Sequence, residues 1–504
     1  MSAAVRIRLE PWSVEIEVPR GAPLMPFLSA NGVEFPCGGT GICGGCGVRL
    51  LAGDLPVSSE DKTTFRPDEI AAGWRLACQA RAEEPLVLEC GQGRMDVLTD
   101  DTLLRGQGKH GLGIAIDLGT TTIAAQMIDL ESGCVLGVCT TLNPQMQAGA
   151  DVMSRIRAVL LGADLNTMVR AELGAMVSEL AGERAREVCE VLIVGNTVMH
   201  HLFCGLDVEP LAFAPFVTPY LESRCFMPAD LGWPLHGSCT IRFAACIGSF
   251  VGADTLAGIV ATGIAEGEEL AALIDLGTNG EIAIGNRHRM LCASTAAGPA
   301  FEAGCIRMGM RAAPGAISHV APVDGALSAS VIGDGEARGI CGSGVVDAIA
   351  AGLESGAILA SGRVANGTKI FPVSGAVSLY QSDIRELQLA KAAIAAGFSL
   401  LLDRLGASAR DLKSIYLAGA FGNYLRIESA ARIGLIEAPI ELIHAAGNTA
   451  LRGAKVMLLA RNKPALPEIE HVCLAAVEEF QDRFATCMSF PVGVDRSTEA
   501  LAAR

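Results

Sequence analysis

The chain has 504 residues, half of them hydrophobic, which is enough for two to four domains with sizeable cores. Lys and Arg total 39 against 55 Asp and Glu, and the formal net charge of −16 argues against nucleic acid or an anionic membrane as the main partner. No run of about 18 uncharged apolar residues occurs, as a membrane span would need. Met1–Glu10 carries Arg6, Arg8 and Glu10 in an alternating pattern unlike a secretory signal, so a cytoplasmic protein is expected. Seventeen cysteines in such a chain read as metal ligands plus buried thiols rather than as a disulfide scaffold.

In chain order, Val5, Ile7 and Leu9, then Val14, Ile16 and Val18, alternate as a hairpin, and Pro23–Ala30 reads as a short helix. CGGTGICGGC follows, placing Cys37, Cys43 and Cys46 at C-x5-C-x2-C spacing; Cys78 is the fourth candidate. A two-iron cluster needs four thiolates, and a glycine-dense loop can curl around it and aim N–H groups at the sulfurs. Zinc is the rival, although structural zinc sites pair two short hairpins and this pattern is three plus one. Cys90 falls outside the pattern and reads as a strand cysteine. Residues 1–92 are thus expected to form one domain. Residues 93–110 are polar, Gly-containing and aperiodic, and read as a linker on which the first domain could swing.

Beyond the linker, Ile-Asp-Leu-Gly-Thr occurs twice, at Ile116–Thr120 and Ile274–Thr278, each time after an apolar run. A buried strand ending in a Gly/Thr turn suits phosphates, because N–H and hydroxyl groups donate to phosphate oxygens and the aspartate can hold a metal ion through water. The duplication suggests two like lobes, expected at 111–245 and 246–504, closing on one ligand. A helical region is expected from Gly149 to about Val188, and a strand at Val191–Val194 before the helix Val198–Leu206. His200 and His201, in that helix, read as structural. Asp254 reads more readily as a helix cap than as a ligand to metal or water. Two further glycine turns follow, Gly339–Gly344 and Leu417–Asn423, the latter directly after a strand and suited to packing against a nucleoside.

Residues 4–90 resemble an α+β β-grasp [2Fe-2S] ferredoxin, which implies Cys37, Cys43, Cys46 and Cys78 as cluster ligands. Residues 111–504 resemble the two-lobed α/β actin-like ATPases of the acetate and sugar kinase, Hsp70 and actin superfamily. On that resemblance Asp117 and Asp275 act on Mg²⁺ and the phosphates of ATP. Gly119, Thr120, Thr121 and Thr122 form the first phosphate loop, Gly277, Thr278 and Asn279 the second, and Gly419 and Gly422 flank the adenosine. GNTVMHHLF, IDLGTNGE, GICGSG and LAGAFGNYL, joined to a ferredoxin, resemble one branch, the ATP-dependent reductive activators of corrinoid proteins. Longer relatives carry an extra domain where this chain has only the linker.

The resemblance implies one-electron reduction of Co(II) to Co(I) on a corrinoid-binding protein of a methyltransferase system. An upstream low-potential donor would reload the cluster, and a homodimer is among the arrangements allowed. Two other readings stay open: an ATP-gated electron donor to a dehydratase or other low-potential enzyme, and a non-catalytic redox-sensing module that binds ATP.

Overall fold

The computed structural model describes residues 4–10, 13–29, 31, 33, 35, 39, 41, 46–90, 99–323, 326–333, 335–462 and 465–492. The first unit is one mixed sheet, built from β1 (Ala4–Glu10), β2 (Val14–Pro19), β3 (Gly47–Ala52), β4 (Trp74–Leu76) and β5 (Leu86–Cys90) in the order β2-β1-β5-β3-β4. Val5, Ile7 and Leu9 turn one face of β1 inward, as their alternation requires, and close a small core with Leu24, Leu28 and Leu88. The β1/β5 pair is parallel and its neighbours are antiparallel, the β-grasp arrangement.

Two six-stranded sheets follow. The first contains β6 (Leu112–Leu118), β7 (Thr122–Asp129), β8 (Val135–Leu142), β9 (Val188–Gly195), β10 (Arg224–Phe226) and β11 (Thr240–Phe243), ordered β10-β11-β9-β6-β7-β8. The second is centred on β12 (Leu270–Leu276), β13 (Gly280–Gly285) and β14 (Met290–Thr295), with Leu412–Ala418 and Ile443–Gly447 on one side and Ile469–His471 on the other. Both sheets repeat one pattern. The IDLGT strand has an antiparallel pair of neighbours on one side and two parallel strands on the other. Each IDLGT strand is central and covered on both faces, which is why it reads as an unbroken apolar run.

The helical region after Gly149 is two helices, Val152–Leu160 and Leu165–Ala181, each capped by an aspartate, Asp151 and Asp164. These caps supply separate helix starts inside what reads as one segment. The helices Ala253–Thr262 and Thr449–Leu459 pack on each other between the lobes. A side chain at Gly453 would strike Ala257 O, so glycine is what permits this approach. Ala450, Leu451, Ala454 and Leu458 join the first lobe's core, so the chain returns to lobe I after building most of lobe II.

Residues 99–110 run along lobe I. Asp100 is buried and paired with the buried Lys455 at 2.5 Å, and Lys109 reaches Glu190 and Leu458 O at 3.3 and 2.8 Å. Such a pinned segment does not act as a tether. The rest of the expected linker, residues 93–98, lies outside the described residues. No helix among the described residues is long and apolar enough to cross a membrane.

Candidate functional site

Asp117 and Asp275 each stand one residue before the end of their strand, and the two lobes bring them to opposite sides of one cleft of about 180 Å³. Gly119, Thr120, Thr121, Thr122, Gly277, Thr278, Asn279 and Gly419 also line it. Gly422 is not among the lining residues; a Cβ there would stand 3.2 Å from Leu417 O in the preceding strand. Gly419 has φ +86°, and a Cβ there would meet Leu276 O at 2.6 Å and Asp275 Oδ1 at 2.7 Å. Only glycine lets that turn close on the end of the second IDLGT strand.

The first loop is backed by donors. Asn143 donates from Nδ2 to Gly119 O at 2.9 Å and from its backbone to Thr121 O at 2.9 Å. Asn196 donates to Thr120 Oγ1 at 2.9 Å while its own Oδ1 caps the helix Thr197–Cys204, whose N-terminus therefore faces the loop. Behind them the buried Arg155 guanidinium donates to Thr120 O and, at 3.0 Å, to Gly149 O. Burial pushes Arg155 down to about 9, which still leaves a cation behind the loop at neutral pH. Sequence reading missed Arg155, Asn143 and Asn196, since nothing in their spacing points at a loop distant in the chain.

The other wall is acidic. Asp254, Glu281 and Glu302 line the cleft with the two aspartates, and no Lys or Arg does so among the described residues. Burial pushes Asp117 and Asp275 up to about 7. Asn448, donating to Asp117 Oδ2 at 2.9 Å, partly offsets this for Asp117, and Asp254 repels both. Asp254 is pushed up to about 6 by burial, Glu281 well above the usual range by burial and then by Asp254 and Asp275, and Glu302 upward by burial against a 3.2 Å hydrogen bond from Thr278. Five carboxyls share this cleft, and among the described residues no three of them are grouped closely enough to ligate one metal ion directly, so a cation there would be held mainly through water. Asp254 satisfies a first-turn N–H as the cap reading expected, its Oδ1 accepting from Thr255 N–H at 2.7 Å, and it also lines the cleft. Gly252 occupies the N-cap of Ala253–Thr262, and Asp254 sits one residue inside the helix with its carboxyl in the cleft.

His201 is structural as read, bonded to Thr197 O and Thr218 Oγ1 at 2.8 Å each, and His200 is buried edge-on to Phe243. In the first unit, Cys37 and Cys43 lie outside the described residues. Cys46 and Cys78 are brought together by Ala77 N–H donating to Cys46 O at 3.1 Å. Gln79 Nε2 donates to Cys78 Sγ at 3.4 Å and to Gly39 O at 2.9 Å, fastening Gly39 beside Cys78. Thiolates that receive N–H donors suit an iron–sulfur cluster. Cys90 is buried in β5 among apolar neighbours, which push its thiol up to about 12.

Residues 7–83 match the model of a 2Fe-2S iron-sulfur cluster binding domain, 112–267 that of the RACo middle region, and 269–500 that of the C-terminal domain of RACo, the ASKHA domain. The corrinoid activation enzyme RamQ of Eubacterium limosum is 35% identical over 416 residues, covering 74% of this chain and 69% of that protein. The [Co(II) methylated amine-specific corrinoid protein] reductase of Methanosarcina barkeri is 29% identical over 420 residues, covering 75% and 77%. A solved reductive activator for a corrinoid, iron-sulfur protein superposes with a TM-score of 0.66 at 26% identity, over 97% of this chain and 98% of that one. A ferredoxin sheet joined to a duplicated two-lobed cleft and these matches have one meaning: the chain belongs to the RACo-type family of reductive activators of corrinoid proteins.

Proposed function

We propose that this chain is an ATP-dependent reductase that returns a corrinoid protein from Co(II) to Co(I), one electron at a time, in the service of methyl transfer. The observation that carries the reading is the union, in one chain of this family, of a cysteine-bearing ferredoxin unit with an acidic cleft between duplicated lobes. Cys37, Cys43, Cys46 and Cys78 would hold the [2Fe-2S] cluster, which when bound supplies a one-electron couple near about −400 mV.

Coupling to ATP answers an energetic need. A Co(II) acceptor lying roughly 100–200 mV lower costs about 2–5 kcal/mol per electron. Coupling between two sites typically supplies about 1–3 kcal/mol, so nucleotide binding covers the lower end, and hydrolysis or removal of Co(I) by methylation covers the rest.

In the cleft Asp117 and Asp275 would hold Mg²⁺ against the phosphates, with Asp254, Glu281 and Glu302 completing the acidic wall. Thr120–Thr122, Thr278 and Asn279 would donate to phosphate oxygens, and the Arg155 charge with the Asn196-capped helix end would favour the anion. Gly419 would lie against the nucleoside, with Gly422 supporting its turn. An upstream low-potential electron donor and a cytoplasmic setting belong to the same reading.

The test mixes the reduced protein with its Co(II) corrinoid protein and follows the corrinoid absorption. Co(I) should appear only with ATP. No Co(I) with any corrinoid protein encoded nearby, or equal yield without ATP, sinks the reading. EPR of the reduced protein should give a two-iron signal.

A further inference from the structure

The ferredoxin unit rests on both lobes. On lobe I, its helix Met25–Ser29 lies against the turn Pro144–Ala148. That turn hangs from the first phosphate loop through the two Asn143 hydrogen bonds, and Gln145 within it accepts from Arg155 at 3.3 Å. On its other side the helix meets Gly39 and Cys78, since a Cβ on Gly39 would stand 2.9 Å from Met25 Sδ and 3.9 Å from Cys78 Cβ.

On lobe II, Arg307 Nη2 donates to Glu69 Oε1 at 3.0 Å, and its guanidinium lies 4.5 Å from the centre of the Tyr380 ring. Its backbone N–H donates to the buried Asp383 at 3.1 Å, and Asp383 also accepts from Tyr380 N–H at the start of the helix Gln381–Leu405. Glu69 is fixed from its own side by Arg66 N–H at 2.8 Å. Surface pairs are weak mainly because two long side chains must be ordered, and here both are already held. Arg338 and Glu89, 3.9 Å apart, extend the contact, and Arg307 follows the cleft's Glu302 by five positions.

A body seated on two lobes keeps both contacts only at one lobe angle, and closure on a ligand changes that angle. We propose that Arg307 and Glu69 are positioning residues, a latch by which lobe II holds the ferredoxin unit in register with lobe I so that nucleotide in the cleft sets whether the unit is held or released. This rests on the electron-transfer reading above. Coupling is reciprocal, so a seated ferredoxin unit also alters the affinity for nucleotide.

The test uses the full-length, cluster-loaded protein as wild type, Arg307→Glu, Glu69→Arg and the double reversal. Amide exchange is read in Met25–Ser29 and Pro144–Ala148 with and without ATP. Each single reversal should speed exchange about fivefold and abolish its response to ATP, and the double reversal should restore part of both, since the swapped side chains regain their ion pair without the Tyr380 and Arg66 contacts. ATP stimulation of Co(II) reduction should fall and recover in parallel, while reduction of a small soluble dye and the cluster's EPR signal stay constant. Arg307→Met, which keeps a thioether in contact with the Tyr380 ring but removes the charge, gives the same direction should reversal disturb folding. Unchanged exchange in the single variants, or no recovery in the double, overturns the latch. A wild type that reduces no corrinoid protein would sink the functional reading and leave the exchange result standing.

Discussion

The two copies of Ile-Asp-Leu-Gly-Thr are identical in sequence and end in opposite surroundings. Across the hairpin from Asp117 stands Ala124; across from Asp275 stands Glu281. Behind the first loop lie Asn143, Asn196 and the buried Arg155. Beside the second lie Glu302 and the tight glycine turn at Gly419. The first copy therefore offers donors and positive potential, suited to phosphate oxygens. The second offers carboxylates, suited to a cation. A duplicated motif divides its labour through what the fold packs behind each copy, and the five residues themselves are silent on it.

Substitutions can break this comparison, and the largest effect belongs to the acidic side. Asp275→Asn should lower ATP-stimulated Co(II) reduction about 100-fold or more, through lost metal binding. The same variant should make the ligand-free protein more stable. The Asp275 carboxyl is pushed up to about 7 by burial and by its acidic neighbours, so its ionisation opposes folding increasingly as pH rises from about 4 to 7. Denaturant melts should show a gain of about 1–3 kcal/mol at pH 8 and none near pH 4.

On the donor side, Arg155→Met leaves the Thr120 and Gly149 carbonyls without their donor. It should cost about 2–4 kcal/mol in the same melts and weaken nucleotide binding roughly tenfold, measured by calorimetry.

The contrast also predicts a pH dependence. Carboxyls raised to about 6 and 7 must release protons to receive Mg²⁺. Affinity for Mg-ATP should therefore rise from pH 6 to pH 8 by up to about tenfold per proton released, and calorimetry in buffers of different ionisation heat should count those protons. Asn448→Ala gives the smallest effect. It removes the hydrogen bond that holds Asp117 down and a helix cap, so it should cost about 1 kcal/mol and shift the affinity profile to higher pH.

Local chemistry made the strands, glycine turns and cysteine spacing legible, because a buried central strand must be apolar throughout and a close turn must be glycine. Asp254 serves both readings the sequence allowed, because its carboxyl accepts Thr255 N–H in the first helical turn while it lines a cleft built from distant segments. The segment 99–110 misled because a polar stretch can be pinned by one buried pair, Asp100 with Lys455, whose partners lie far apart in sequence.

The sequence by itself determined the two fold types, the duplicated motif that carries Asp117 and Asp275, and the family, since each rests on short motifs of neighbouring residues. Tertiary structure alone decided which lobe receives the helix Thr449–Leu459, which wall of the cleft is acidic and which is donating, and where the ferredoxin unit sits. Those outcomes depend on Arg155, Asn448, Glu302 and Arg307 meeting partners from distant segments. Burial then raises the carboxyls of Asp117, Asp254 and Asp275 well above the ordinary carboxylate range.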